Sequence, residues 1–321
     1  MEQWYLKKLY DETYQPTVRF AFQGTVNWMR ALAISVEDEK FNENLKDFYK
    51  HVKIRKYNKK ADLVVFENIL MAIHNLHSIQ AINDKVDNPY SVAMTQIVSW
   101  YYTVYYASSA MIGASAGTTH KTHAETAKVW NNKLVESNLI LYPFNLSLDT
   151  LVEKDVEEKI ENLRNSNNYI LNDYPNNLKE SKGALLSYLQ GTAKYKKHHI
   201  EEDVKKSKDF KNLGVNNFRK KVARELRDRR LEKGIVNFLV QAFRYRGKAH
   251  YRDSVFLSYG DDRTDDLKQL NNDLEVVAKA FLKMASRYVQ MRVKEKDWNI
   301  FLADLDNNLR FDFDTAFLNI K

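Results

Sequence analysis

The chain has 321 residues, 44% of them hydrophobic, and a formal charge of +8. This is long enough for one large or two modest domains with a substantial core, and too apolar for a disordered polypeptide. The absence of cysteine excludes disulfides, thiolate metal sites and thiol nucleophiles together, and only 9 glycines and 4 prolines weigh against a sheet with many tight turns.

An all-α fold is therefore expected. Residues 1–60 read as an N-terminal extension. Met1 to Tyr5 show no charged start followed by an apolar run, so no secretory signal is expected. Residues 18–29 fit either a strand or the start of a helix, whereas Phe41, Leu45, Phe48, Tyr49 and Val52 recur at helical spacing. Over residues 61–85, Leu63, Phe66, Ile69, Leu70, Ile73, Leu76, His77 and Ile79 trace a broad apolar helical face. Asn88-Pro89 reads as a cap and first helical residue, and the next helix runs from 89 to 115, with Gly113 and Gly117 at its exit. The short connection predicts that these two helices pack antiparallel. Residues 92–116 are the most apolar stretch, but Gln96 and several hydroxyl residues interrupt them, so no transmembrane helix is expected.

Ala127, Trp130 and Leu134 place a helix over 123–138, followed by a loop to Asp149. A helix over 148–165 would open at Ser147 or Asp149. Polar clusters at 165–168 and 173–177 break the pattern, and Leu185, Leu186 and Leu189 restart it over 182–197. Residues 201–213 read as loop or frayed helix, before a basic helix over 215–231 and a further helix over 232–250. After a turn at 258–262, Leu267, Leu270, Leu274, Val277, Phe281, Met284, Tyr288 and Met291 give the strongest periodicity in the chain, read as one long core helix. The tail from Trp298 to Ile320 alternates apolar and acidic residues and should pack back on the domain. There is no internal repeat. The expected organisation is an extension over 1–60, a helical domain over 61–296 and a tail over 297–321.

Several clusters carry potential chemistry. The basic run that includes Arg224, Arg227 and Arg230 is either a phosphate-binding stripe or a solvated helix face. His74 and His77 have a spacing that can chelate zinc, but no cysteine exists and Glu67 is about two helical turns away, so no metal site is expected. Asp261, Asp262, Asp265 and Asp266 are read as acidic residues at a helix N-terminus, where the dipole favours them. Phosphate-binding glycine loops, nucleophile elbows and zinc-protease motifs are absent from the sequence, and no cofactor is expected. The most informative stretch is Arg244-Tyr245-Arg246-Gly247-Lys248-Ala249-His250-Tyr251-Arg252, which follows an apolar pattern of Ile235, Phe238, Leu239, Ala242 and Phe243. It sets a proton-exchanging histidine among permanent cations whose planar forks fit phosphate oxygens. A solvated basic helix end with a structural histidine is the alternative.

A second segment bears on that choice. The aromatic run Trp100-Tyr101-Tyr102-Thr103-Val104-Tyr105-Tyr106-Ala107 turns small-residue-rich, His120-Lys121 follows, and five residues separate Arg244 from His250. This order resembles the HEPN superfamily of small helical bundles, over roughly residues 61–292. One departure is Tyr245, where that family often has a small polar residue. The resemblance implies a HEPN-like antiparallel bundle with additional helices and an N-terminal extension. It further implies a metal-independent endoribonuclease, although some members only bind nucleotides. His250 would be the general acid or base and Arg244 would hold a non-bridging phosphate oxygen. Arg246, four residues before His250 and on the same helical face, would support them. His120, Lys121, Lys248 and Arg252 would join Arg224, Arg227 and Arg230 in contacting RNA. A homodimer, a regulatory protein partner, a cytoplasmic location, no membrane association and a role as toxin or phage-defence effector complete the expectation. Its rival is a non-catalytic helical module that binds nucleic acid or protein.

Overall fold

The computed structural model describes residues 5–12, 18–118, 122–250 and 252–319, and every regular element among them is helical. Helices α1 (Tyr5–Glu12), α2 (Val18–Glu37) and α3 (Glu39–Phe48) precede α4 (Lys59–Lys85) and α5 (Ala93–Ala116). Then come α6 (His123–Trp130), α7 (Glu153–Arg164), α8 (Leu178–Lys206), α9 (Lys208–Asn212) and α10 (Lys221–Leu231). The order ends with α11 (Phe238–His250), α12 (Thr264–Arg292) and α13 (Glu295–Asn308). Among the described residues no helix is long and apolar enough to cross a membrane.

Local chemistry fixes the ends of the expected hairpin. The Asn58 side chain accepts from the Ala61 amide at the start of α4. Asn88 does the same for Tyr90, with Pro89 opening a short 3-10 turn before α5. Gly117 closes α5 at φ 67°, a left-handed conformation that glycine adopts without a Cβ penalty. The two helices are antiparallel: Gln96 near the start of α5 donates to Asn83 near the end of α4, while Gly113 meets Val65 at the other end. The buried face of α4 is narrower than its apolar face. Ile69, Ile73, Leu76 and Ile79 are buried, whereas Leu63 and Leu70 are exposed.

α12 is the central helix and packs on α2, α4 and α5. Its predicted stripe is buried from Leu267 to Tyr288. The stretch expected as an extension contributes α2 to this same core. Trp28 of α2 stacks on Tyr188 of α8 at 4.3 Å, meets Trp100 of α5 edge-on at 5.8 Å and lies 4.8 Å from Tyr245 of α11. Trp28 and Met29 are fully buried, so the open choice at residues 18–29 resolves to helix by burial against three partners. The tail packs back through Trp298 and Leu318.

Several boundaries differ from those expected of the sequence. α7 starts at Glu153, and neither Ser147 nor Asp149 caps it, because backbone hydrogen bonds between Leu148 and Val236 hold this segment extended. α8 continues through the polar 201–206 stretch, where Lys205 pairs with Glu202 at 2.8 Å and Lys197 lies 4.0 Å from Glu201. α11 starts at Phe238 rather than 232: Asn237 accepts from the Val240 amide and donates to the Ala127 carbonyl at 2.8 Å, anchoring the helix start on α6.

Candidate nucleic-acid interface

Successive residues on a helix rotate by about 100°, and the buried stripe of α11 decides where its arginines go. Phe238, Ala242, Tyr245 and Ala249 face the core. Tyr245 is fully buried and donates from its hydroxyl to the Thr25 carbonyl at 2.9 Å. Its departure from the small polar residue of the HEPN pattern is thus filled by a core side chain. With Tyr245 inward, Arg244 and Arg246 leave the helix on opposite sides of the stripe. The sequence reading gathered both at one helix end; the fold gives them separate neighbourhoods.

Arg244 faces α8. Its Nη1 donates to Thr192 Oγ1 at 2.9 Å, and its guanidinium lies 4.8 Å from the Tyr195 ring and 5.4 Å from the Tyr188 ring. Arg246 faces α5. It donates to Tyr102 Oη at 3.3 Å and sits 4.9 Å from both the Tyr101 and Phe243 rings. Its Nε is buried without a hydrogen-bond partner among the described residues. Both guanidinium groups are half-buried, and no carboxylate among the described residues pairs with either. Rings and hydroxyls position them while leaving their charge uncompensated.

Beside Arg246 stands His123, the first residue of α6 after its Thr122 cap. His123 Nδ1 and Tyr101 Oη share a 2.7 Å hydrogen bond. The imidazole is 4.5 Å from the Tyr105 ring and 5.2 Å from the Phe243 ring. Burial lowers the His123 pKa, and Arg246 lowers it further, so the ring is neutral at neutral pH. Burial raises the Tyr101 phenol strongly, against the opposing pull of Arg246, so it keeps its proton. The order of residues along the chain does not by itself place His123 beside Arg246. Tyr101, Tyr102, Tyr105 and Tyr106 at spacings of one and four residues were the available signal, since they form one helical face.

The other expected RNA contacts are dispersed. Lys248 donates to Thr25 Oγ1 at 3.2 Å and lies 5.6 Å from the Tyr188 ring, on the α2 and α8 side. On α10, which starts at Lys221 rather than 215, Arg224 and Arg230 are exposed. Arg227 pairs with Asp228 at 2.8 Å and Glu201 at 3.7 Å, and covers the Phe218 ring at 5.4 Å. His250 ends α11, but its side chain lies outside the described residues, as do that of Arg252 and all of His120 and Lys121. His77 stacks on Phe311 at 4.4 Å and His74 meets the same ring edge-on. No group of three or more His, Asp or Glu that could hold a metal gathers among the described residues. No protein-family model, curated protein or solved structure matches this chain.

Proposed function

We propose that this chain is a metal-independent endoribonuclease of the HEPN type, acting as a homodimer with Arg244 and His250 as its catalytic pair. The observation that carries this reading is the unpaired positive charge on the C-terminal half of α11. Two half-buried guanidinium groups there have aromatic and hydroxyl partners and no carboxylate among the described residues. Such groups attract an anion and are worth more in a partly desolvated site than in water.

The reaction is attack of an RNA 2′-hydroxyl on the adjacent phosphorus. The 2′-oxygen–phosphorus bond forms and the phosphorus–5′-oxygen bond breaks. One proton leaves the 2′-hydroxyl and one reaches the departing 5′-oxygen, leaving a 2′,3′-cyclic phosphate and a 5′-hydroxyl. His250 exchanges one of these protons and Arg244 neutralises the charge that develops on a non-bridging oxygen, while Arg246, on the other side of α11, adds positive charge that holds the strand in place. Arg224 and Arg230 on α10 supply longer-range attraction for the strand. The biological role consistent with this activity is that of a toxin or phage-defence effector under the control of a protein partner, in the cytoplasm.

A non-catalytic RNA-binding module is the second reading, favoured by the internal hydrogen bonds that already occupy Arg244 and Arg246. Incubating the purified protein with total RNA in EDTA and mapping the ends distinguishes them. New 2′,3′-cyclic phosphate ends support cleavage. Intact RNA that nonetheless co-purifies with the protein supports the binding module.

A further inference from the structure

The cluster around Arg246 has features that the catalytic pair does not use. Phe243 is 44% exposed although it follows the apolar pattern of α11, and it lies against His123 and Tyr101. Tyr102, Tyr105 and Tyr106 are half-buried on the neighbouring face of α5. Arg246 closes this aromatic patch with a charge that no carboxylate among the described residues pairs. An aromatic face accepts any nucleobase by stacking, and the planar cation beside it accepts the phosphate of the same nucleotide.

We infer that Phe243, Tyr105 and His123, with Arg246, form a nucleotide subsite for single-stranded RNA, in which a base stacks on the exposed face of Phe243 and Arg246 takes its phosphate. The subsite rests on the RNA reading above but not on cleavage. The hydrogen bond between Tyr101 Oη and His123 Nδ1 fixes the His123 ring, so that the aromatic surface is rigid before RNA arrives. Because this surface lies on the α5 and α6 side of α11, it holds a different nucleotide from the one whose phosphate meets Arg244 on the α8 side.

The test is fluorescence anisotropy with a 2′-O-methyl oligouridylate, which lacks the attacking hydroxyl and reports binding whether or not the protein cuts RNA. Phe243→Ala should lower affinity about tenfold with the salt dependence unchanged, because stacking releases no counterions. Phe243→Tyr, which keeps the ring, should restore it. Arg246→Gln should lower affinity and flatten the salt slope by roughly 0.7. Phe243 is exposed enough that the alanine variant should fold, and circular dichroism checks this. Wild-type affinity in Phe243→Ala, or failure of the wild type to bind, overturns the subsite. If the wild type cuts RNA while Phe243→Ala binds normally, the subsite fails and the ribonuclease reading stands. If the wild type and variants bind as expected but no RNA is cut, cleavage fails and the subsite stands.

Discussion

Arg244 and Arg246 on α11 and Arg227 on α10 are all half-buried guanidinium groups, but their surroundings differ in kind. Arg227 lies between Asp228 and Glu201, so its charge is spent inside the molecule. The α11 pair lies among tyrosines, a phenylalanine and hydroxyls, which orient a cation without cancelling it. Arg30 is a deeper case of the first kind: its Nη1 reaches the buried Asp273 at 2.9 Å. Counting arginines along the sequence treats these groups alike. Their partners separate structural cations from those still able to take a phosphate.

The largest test of this contrast is His250→Ala. Loss of the proton-exchanging group at the α11 end should cut RNA cleavage by on the order of 10² to 10⁴, with helicity retained. Unchanged cleavage-end yields would move the reaction away from α11.

The Arg30–Asp273 pair gives the structural side of the comparison a pH signature. Burial raises the Asp273 pKa from 3.8 to about 6, against the opposing hydrogen bond from Gln269 and the pull of Arg30. A carboxyl whose folded pKa exceeds its unfolded one favours the folded state while protonated. That contribution is complete below about pH 4 and is lost as pH rises through about 6. Its size is about 3 kcal/mol. Urea titrations of wild type and Asp273→Asn at pH 4 to 8 should therefore diverge, the wild type losing stability relative to the variant as pH rises. Parallel curves would show that Asp273 ionises at its ordinary pKa.

Arg244→Gln should lower the cleavage rate on the order of a hundred-fold, as expected for removal of one charge-stabilising donor. Its exchange of Thr192 and ring contacts for an amide should change the urea midpoint little. A large loss of stability with proportionate loss of activity would instead make Arg244 a structural residue like Arg227.

On α10, Arg224, Arg227 and Arg230 changed together to Gln should flatten the single-strand salt slope by about 1.4, two contacts rather than three, because Arg227 is already paired. Cleavage positions should stay the same. Arg227→Gln alone should leave the RNA slope unchanged and cost under about 1 kcal/mol in unfolding free energy, the scale of a partly exposed ion pair. A slope change in that single variant would erase the distinction between the two helices.

The helices themselves were legible where burial follows a simple period. The 267–291 stripe, the 61–85 and 89–115 hairpin with its Asn88-Pro89 stop, and the start of the helix carrying Ala127 and Trp130 follow from 3.6-residue spacing and local capping, whereas beyond Trp130 the helix expected to 138 becomes a π-helical turn over Asn131–Val135 that holds Leu134. Those signals act between residues close in sequence, so a sequence displays them directly. The boundaries at Ser147, Asp149 and 232 were not legible, because a backbone pairing between Leu148 and Val236, 88 residues apart, overrides local propensity there. Nor was the place of α2, whose Trp28 is held by Tyr188, Trp100 and Tyr245 from three distant helices.

For the candidate site, the sequence by itself determined which side chains stand near the end of α11: Arg244, Arg246 and the terminal His250 are fixed there by chain order. Only the tertiary structure decided their company. Turning Tyr245 into the core to reach Thr25 sends Arg244 to α8 and Arg246 to α5, and brings His123 from a separate helix beside Arg246. Helical rotation sets the angle between neighbouring residues, but which angle points inward depends on the long-range burial of one tyrosine.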